Sequence, residues 1–223
     1  MIEYFEGTVF NTDAGAIVNT VNCEGYMGAG IALEYSLRYP EMYQDYQKKC
    51  KEKKIKTGFV DYYLYNNITI VNFPTKNLYK FPSNIKWIKE GLINFVETYK
   101  NYNITSVAFP KLGTSNGGLN WEEVKNIMEY YLKDIDAKVY ICLDKIKEPA
   151  GKEKQMLDSI NKISIQEISH YVKLTEKQKL SLQKHIPYQR FWQISQTQSI
   201  GKTTYKNLFK HFYEQNYTQT KLF

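Results

Sequence analysis

Across its first 143 residues the chain alternates apolar runs of strand length with segments of helical period, and few folds accommodate that order. Ile2–Phe5 and Ala16–Val21 read as strands. Gly30–Arg38 and Glu41–Glu52 read as helices divided at Tyr39-Pro40, since proline fits the first turn of a helix but not its interior. Val60–Tyr65 and Ile68–Phe73 are β-rich runs joined by Asn66-Asn67, a hairpin signal of the type I′ sort. A long helix is expected from Ser83 to about Tyr102, with Ile85, Ile88, Leu92, Phe95, Val96 and Tyr99 apolar. Val107–Pro110 is a short buried strand, Asn120 or Trp121 to Lys133 a helix, and Lys138–Leu143 the last strand. The pattern predicts an α/β fold with helices on both faces of one sheet, mixed in direction because of the hairpin.

A linker is expected over Lys145–Lys154, where Pro149 and Gly151 stand among charges. It separates a first domain, 1–147, from a helical C-terminal region, 153–223. In that region Ser164-x-x-Glu167 and Thr175-x-x-Gln178 match capping boxes, Pro187 ends the second helix, and a last helix runs from Thr203 or Thr204 to about Gln215. Two or three short helices of this kind suit a small helix-turn-helix-like unit. Charge divides at the same place. Residues 1–150 hold 18 Lys+Arg and 18 Asp+Glu, whereas residues 151–223 hold 12 and 5, so the whole excess of +7 lies in the tail. Lys177, Lys179, Lys184, Arg190, Lys202, Lys206 and Lys210, interleaved with Tyr188, Phe191, Trp192 and Phe209, are compatible with nucleic acid and equally with a solvated helical surface.

Several classes drop out. No apolar run approaches a membrane span, and the acidic start Met1-Ile2-Glu3-Tyr4-Phe5-Glu6 has no signal-peptide core. Cys23, Cys50 and Cys142 are odd in number and widely spaced, which supports neither a disulfide framework nor a zinc site. A reduced, cytoplasmic, monomeric protein without metal or cofactor is expected. Cys23 and Cys142, in apolar contexts, read as buried thiols, and Trp121 as core.

Two glycine clusters follow expected strands: Gly25-Tyr26-Met27-Gly28-Ala29-Gly30 and Gly113-Thr114-Ser115-Asn116-Gly117-Gly118. Glycines at a strand-to-helix turn let backbone N–H groups approach an anion, and two such loops at equivalent strand ends suit a diphosphate. Neither is a Walker A loop, because no Gly-Lys-Ser/Thr follows. Residues 1–150 contain no histidine, so acid–base work there falls to carboxylates and lysines. Near the loops these are Asp13, Glu24, Lys76 and Lys111.

The run from Ile17 through Asn19, Asn22, Gly25, Gly28 and Gly30 to Leu33 resembles the first ligand loop of a macrodomain. Asn72-Phe-Pro-Thr-Lys76 and Phe109-Pro-Lys-Leu-Gly113 through Gly118 to Trp121 continue the resemblance in order and spacing, over roughly residues 1–143. Within the superfamily the chain is similar to the DarG-type branch, antitoxin macrodomains that remove ADP-ribose from thymidine in DNA, and to the related terminal ADP-ribose glycohydrolases. The resemblance implies a three-layer α/β/α macrodomain with a mixed central sheet, to which the basic helical region is appended. It places Asn22 near the distal ribose. Gly28, Ala29, Gly30 and Ile31 would line the diphosphate from one side, with Gly113, Thr114, Ser115, Asn116, Gly117 and Gly118 closing over it from the other. Lys76 falls at the branch's catalytic lysine. ADP-ribosylated DNA is the implied substrate, and a cognate ADP-ribosyltransferase toxin the implied partner.

Two positions depart from the pattern. Gly7 is followed by Thr8, where macrodomains usually carry the Asp that reads adenine, so adenine recognition is altered or comes from elsewhere. Gly117 stands where the terminal glycohydrolases carry an Asp, which favours DNA over protein glutamate as substrate. Lys76 would attack C1″ of the distal ribose or, protonated, stabilise the leaving group. A reader that binds ADP-ribose without turnover, a hydrolase of protein-linked ADP-ribose and an interaction protein centred on the tail are the rival readings. Tyr79, Lys80 and Phe81, just past Lys76, suit an extruded base and a backbone phosphate, or ordinary loop packing.

Overall fold

The computed structural model describes residues 1–145 and 148–219. It divides into two compact units, Met1–Lys145 and Ile146–Phe223. The expected end of the first domain at residue 147 lies outside the described residues.

The first unit is built on one six-stranded sheet. Its strands are β1 (Ile2–Phe5), β2 (Ala16–Val21), β3 (Asp61–Tyr65), β4 (Ile68–Pro74), β5 (Ser106–Phe109) and β6 (Lys138–Cys142), in the order β1-β6-β5-β2-β4-β3. All pairs are parallel except β3–β4, which run antiparallel from Asp61↔Asn72 to Tyr65↔Ile68. Alternation of side chains divides the core in two. Val18, Val71, Phe73, Val107, Phe109 and Ile141 face α3 (Ile85–Thr98) and α4 (Trp121–Leu132), where Ile88, Leu92, Phe95, Val124 and Met128 meet them. Ile17, Val21, Ile70, Ala108 and Tyr140 face α1 (Gly30–Arg38) and α2 (Pro40–Lys51), through Tyr35, Met42 and Tyr46. The result is three layers, α/β/α.

Three local expectations need correction. The hairpin forms, but only Asn66 has a left-handed backbone (φ 51°), and a type I′ turn needs positive φ at both central residues. The long helix is α-helical only over Ile85–Thr98. Asn84 takes its N-cap by accepting the Lys86 N–H at 2.9 Å, while Ser83 is held outside by its N–H to the Gly117 carbonyl at 2.9 Å. At the far end Tyr99–Tyr102 tightens into a 3-10 turn that left-handed Asn103 closes. Cys50 and Cys142 are buried, but Cys23 is only half-buried, because it lies in the loop past β2 rather than in the strand.

The second unit is all helical: α5 (Gly151–Lys162), α6 (Ile165–Tyr171), α7 (Glu176–His185), a 3-10 turn (Phe191–Gln196) and α8 (Lys202–Gln219). That is four α-helices among the described residues, one or two more than expected. The linker is shorter than expected because Gly151–Lys154 already belong to α5. Glu153, in its first turn, accepts the Arg190 Nε–H and the Phe191 N–H, both at 2.9 Å, and this ties the helix start into the unit. Both capping boxes form. Ser164 and Glu167 cap each other's backbone N–H groups, as do Thr175 and Gln178. Phe191, Ile194, Leu208 and Phe212 are buried beside Met156, Leu157 and Ile160.

Candidate active site

Strands β2, β4 and β5 are parallel neighbours, so the loops leaving their C-terminal ends emerge at one edge of the sheet. These loops carry the first glycine cluster, Lys76 and the second glycine cluster.

The first loop is folded by Asn22. Its side-chain oxygen accepts the Glu24 N–H at 2.9 Å, and its amide donates to the Tyr26 carbonyl at 2.6 Å. Buried Tyr46, from α2, donates its hydroxyl to the Asn22 carbonyl at 2.6 Å. The polar groups of Asn22 therefore hold the loop, and what the loop offers outward is the stretch from half-buried Gly28 through exposed Ala29 and Gly30 to half-buried Ile31. Met27, wholly buried, anchors the same loop from below, with its sulfur accepting from Asn19 Nδ2 at 3.7 Å. Asn19 Nδ2 also donates to Asn72 Oδ1 at 3.0 Å, and Asn72 Nδ2 to Asp61 Oδ2 at 3.3 Å. Asp61 in turn pairs with Lys49 at 2.7 Å. Reasoning from sequence missed this buried polar line. Its signal was two asparagines, Asn19 and Asn72, inside runs otherwise apolar enough for central strands.

The second loop is folded by glycine. Gly113 and Gly117 are buried, whereas Ser115, Asn116 and Gly118 are exposed and Thr114 is half-buried, its hydroxyl donating to the Lys111 carbonyl at 3.1 Å. A Cβ at Gly117 would lie 2.2 Å from the Gly113 carbonyl oxygen and 2.3 Å from Ser83 Oγ. No side chain fits there, so the Asp of the terminal glycohydrolases is sterically excluded from this loop. Ser83, beside Gly117, is a further residue that sequence reasoning passed over.

The two loops meet. Gly30 has φ +55°, and a Cβ on it would come within 2.8 Å of Asn116 Nδ2. Lys76, two residues past the end of β4, donates its Nζ–H to the Asn116 carbonyl at 2.5 Å. Partial burial lowers the pKa of Lys76 from the usual lysine value, because desolvation disfavours the ammonium. Gly30, Lys76 and Asn116 are thus neighbours although 86 positions separate the outer two.

Other expected residues lie elsewhere or are engaged. Asp13 is on the segment entering β2, at the opposite strand ends, and accepts the Tyr140 hydroxyl at 2.5 Å. Lys111 directs its ammonium over the Trp121 ring at 5.9 Å, and Trp121 is partly buried against the core. Glu24 Oε2 accepts the Tyr79 N–H at 2.8 Å. Thr8 stands at the N-cap of a 3-10 turn, where its backbone N–H and its hydroxyl both donate to Asn11 Oδ1, at 3.1 and 2.8 Å. Among the described residues no group of three or more His, Cys, Asp or Glu could hold a metal ion, and no helix is long and apolar enough to cross a membrane. Burial pushes the Cys23 and Cys50 thiols up to about 11 and Cys142 up to about 12, the direction that makes thiols unreactive.

Known proteins resemble this chain in sequence and fold. The Macro domain family model matches residues 18–128. A DNA ADP-ribosyl glycohydrolase of Mycobacterium tuberculosis is 44% identical over 147 residues, which cover 63% of this chain and 42% of that protein. The chain therefore spans less than half the length of this curated relative. The solved macrodomain of Mycobacterium tuberculosis DarG is 41% identical with a TM-score of 0.60, covering 63% of this chain and 97% of that one. Thermosipho africanus DarTG in complex with ADP-ribose is 32% identical with a TM-score of 0.60, covering 65% of this chain and 42% of that one. By sequence and by fold together, the chain belongs to the macrodomain family.

Proposed function

We propose that the first unit is an ADP-ribosyl glycohydrolase that removes ADP-ribose from thymidine in DNA, in the manner of an antitoxin. The observation that carries it is Lys76 Nζ, held against the Asn116 carbonyl where the two glycine loops meet. A reader needs the loops alone. A lysine with lowered pKa at their junction adds a group able to react. Two relatives support the same reading: the Mycobacterium tuberculosis protein is named a DNA ADP-ribosyl glycohydrolase, and Thermosipho africanus DarTG is solved with ADP-ribose.

In this reading the backbone of half-buried Gly28 and exposed Ala29 and Gly30, with that of exposed Ser115, Asn116 and Gly118, grips the diphosphate from two sides. That fixes the distal ribose over Lys76. Neutral Nζ attacks C1″ as the bond to the base lengthens with oxocarbenium character. The displaced base takes up the proton that the new C1″–N adduct gives up. Water then hydrolyses the adduct, releasing ADP-ribose and restoring the amine. Desolvation assists by enlarging the neutral fraction.

In a second reading Lys76 stays protonated and stabilises the leaving group; its hydrogen bond to a carbonyl oxygen, which a charged donor strengthens, favours this. Lys76→Arg separates the two, since guanidinium keeps the charge but cannot act as nucleophile. Loss of ADP-ribose release from a modified oligonucleotide in both Lys76→Ala and Lys76→Arg supports attack, and activity retained in Lys76→Arg alone supports charge stabilisation. Unchanged release by Lys76→Ala overturns both. A glycohydrolase needs a transferase to make its substrate, so a DNA-modifying ADP-ribosyltransferase is the proposed cognate toxin. The proposed domain division follows the two units, with ADP-ribose binding confined to the first.

A further inference from the structure

Resting on that reading, we infer that the surface beside Lys76 is a docking track for the single-stranded DNA flanking the modified nucleotide. Tyr26 and Tyr79 serve as its base platform, and Lys53 and Lys56 take its backbone phosphate.

The segment leaving Lys76 is exposed from Asn77 onward, yet it is pinned to the first glycine loop. The Asn77 carbonyl accepts the Cys23 N–H at 3.0 Å, and the Tyr79 N–H donates to Glu24 Oε2 at 2.8 Å. The Tyr79 ring packs 4.9 Å from that of Tyr26. Three large aromatic side chains are thereby held in water: Tyr26 is 56% exposed, Tyr79 44% and Phe81 60%. Aromatic rings fixed outward in a short stretch beside a reacting group offer π-faces to bases, and every base has one.

Asn77 also belongs to a second feature. Together with Cys23, Lys53, Lys56 and Thr57 it lines a cavity of about 340 Å³. The first 150 residues are neutral overall, but Lys51, Lys53, Lys54 and Lys56 fall within six positions and are all exposed. The single acid among them, Glu52, pairs with Lys54 at 2.7 Å. Lys53 and Lys56 have no carboxylate partner among the described residues. A neutral domain that concentrates free cations at a cavity one residue from Lys76, with aromatic faces on the same segment, matches a phosphodiester strand: cation for phosphate, ring for base. A peptide partner would not need both at once.

The test uses the full chain and two substrates: a single-stranded oligonucleotide with one ADP-ribosylated thymidine, and ADP-ribosylated thymidine alone. Lys53→Gln/Lys56→Gln and, separately, Tyr79→Ser are each expected to raise KM for the oligonucleotide about tenfold at unchanged kcat, the scale of removing phosphate-binding cations or a stacking ring. Hydrolysis of the isolated nucleoside is expected to stay at wild-type values, and Tyr79→Phe to behave as wild type. Wild-type KM for the oligonucleotide in both variants, or equal losses on both substrates, overturns the track. If the wild-type protein hydrolyses neither substrate, the glycohydrolase reading fails by itself. Fluorescence anisotropy with unmodified single-stranded DNA then decides the track. The double lysine variant should flatten the log–log salt dependence by about 1.4, at about 0.7 for each phosphate no longer neutralised, and an unchanged slope overturns it.

Discussion

The site in Met1–Lys145 is assembled from positions 30, 76 and 116, brought together only because three parallel strands end side by side. In Ile146–Phe223 the ordering devices are local: Ser164 with Glu167, Thr175 with Gln178. The first unit is electrically neutral as a whole and places single charges with care, such as Lys76, and Lys49 against Asp61. The second carries the net positive charge and spreads it over exposed helix surface. Loops on a rigid scaffold can concentrate chemistry, whereas short capped helices mostly secure their own folding.

The contrast breaks most visibly at Lys76. Lys76→Ala is expected to lower turnover of an ADP-ribosylated oligonucleotide by about a thousandfold, the scale of losing a covalent nucleophile, while calorimetry finds ADP-ribose bound within a few-fold of wild type. Next in size is Gly117→Asp. The added side chain must displace Gly113 and Ser83, so the second loop cannot close, and ADP-ribose affinity should fall about a hundredfold, the scale of an overpacked site costing about 1–3 kcal/mol. Retained affinity would mean that this loop does not grip the ligand.

The pH dependence sharpens the assignment within the site. Lys76 has a lowered pKa, so a nucleophilic amine gives kcat/KM that rises about tenfold per pH unit at low pH and levels off above that pKa. A charge-stabilising lysine gives the reverse, a plateau at low pH and a fall above the same point.

The smallest effects belong to the second unit. Thr175→Ala removes an N-cap and should cost about 1 kcal/mol, measured as a lower denaturation midpoint, with hydrolysis unchanged. His211 is stacked on Tyr171 at 4.5 Å, and burial lowers its pKa. The unfolded chain binds this proton more readily than the folded one, so the stability contributed above the ordinary histidine pKa should be lost as pH falls through the lowered folded value. Thermal melts of the wild type and of His211→Phe across that window, converging at high pH and diverging at low pH, would show it.

Much of the architecture was legible in sequence because it is periodic or local. The β2 and α1 bounds, the division at Tyr39-Pro40 and both capping boxes are set by neighbours within four positions. Expectations slipped where a distant group decides an end. Ser83 is drawn out of α3 by Gly117, and the start of α5 is secured by Arg190. The glycine-rich turns could be read ahead from their place after apolar runs, whereas the lack of histidine left Asp13, Glu24, Lys76 and Lys111 open and only the macrodomain resemblance singled out Lys76. The hydrogen-bond partners of Asn22 and Asp13 could not be read ahead, because Tyr26, Tyr46 and Tyr140 are brought to them only by the folded chain.

The sequence by itself determined the layer order, the helix caps, the charge division and the two glycine-rich turns, because each depends on spacing along the chain. Tertiary structure alone decided that Gly30 and Asn116 touch, that Lys76 is partly desolvated against the Asn116 carbonyl, that Gly117 has no room for a side chain, and that Lys53, Lys56 and Asn77 line one cavity. Those are distances through space, fixed by the parallel register of β2, β4 and β5 and by the packing on both faces of the sheet.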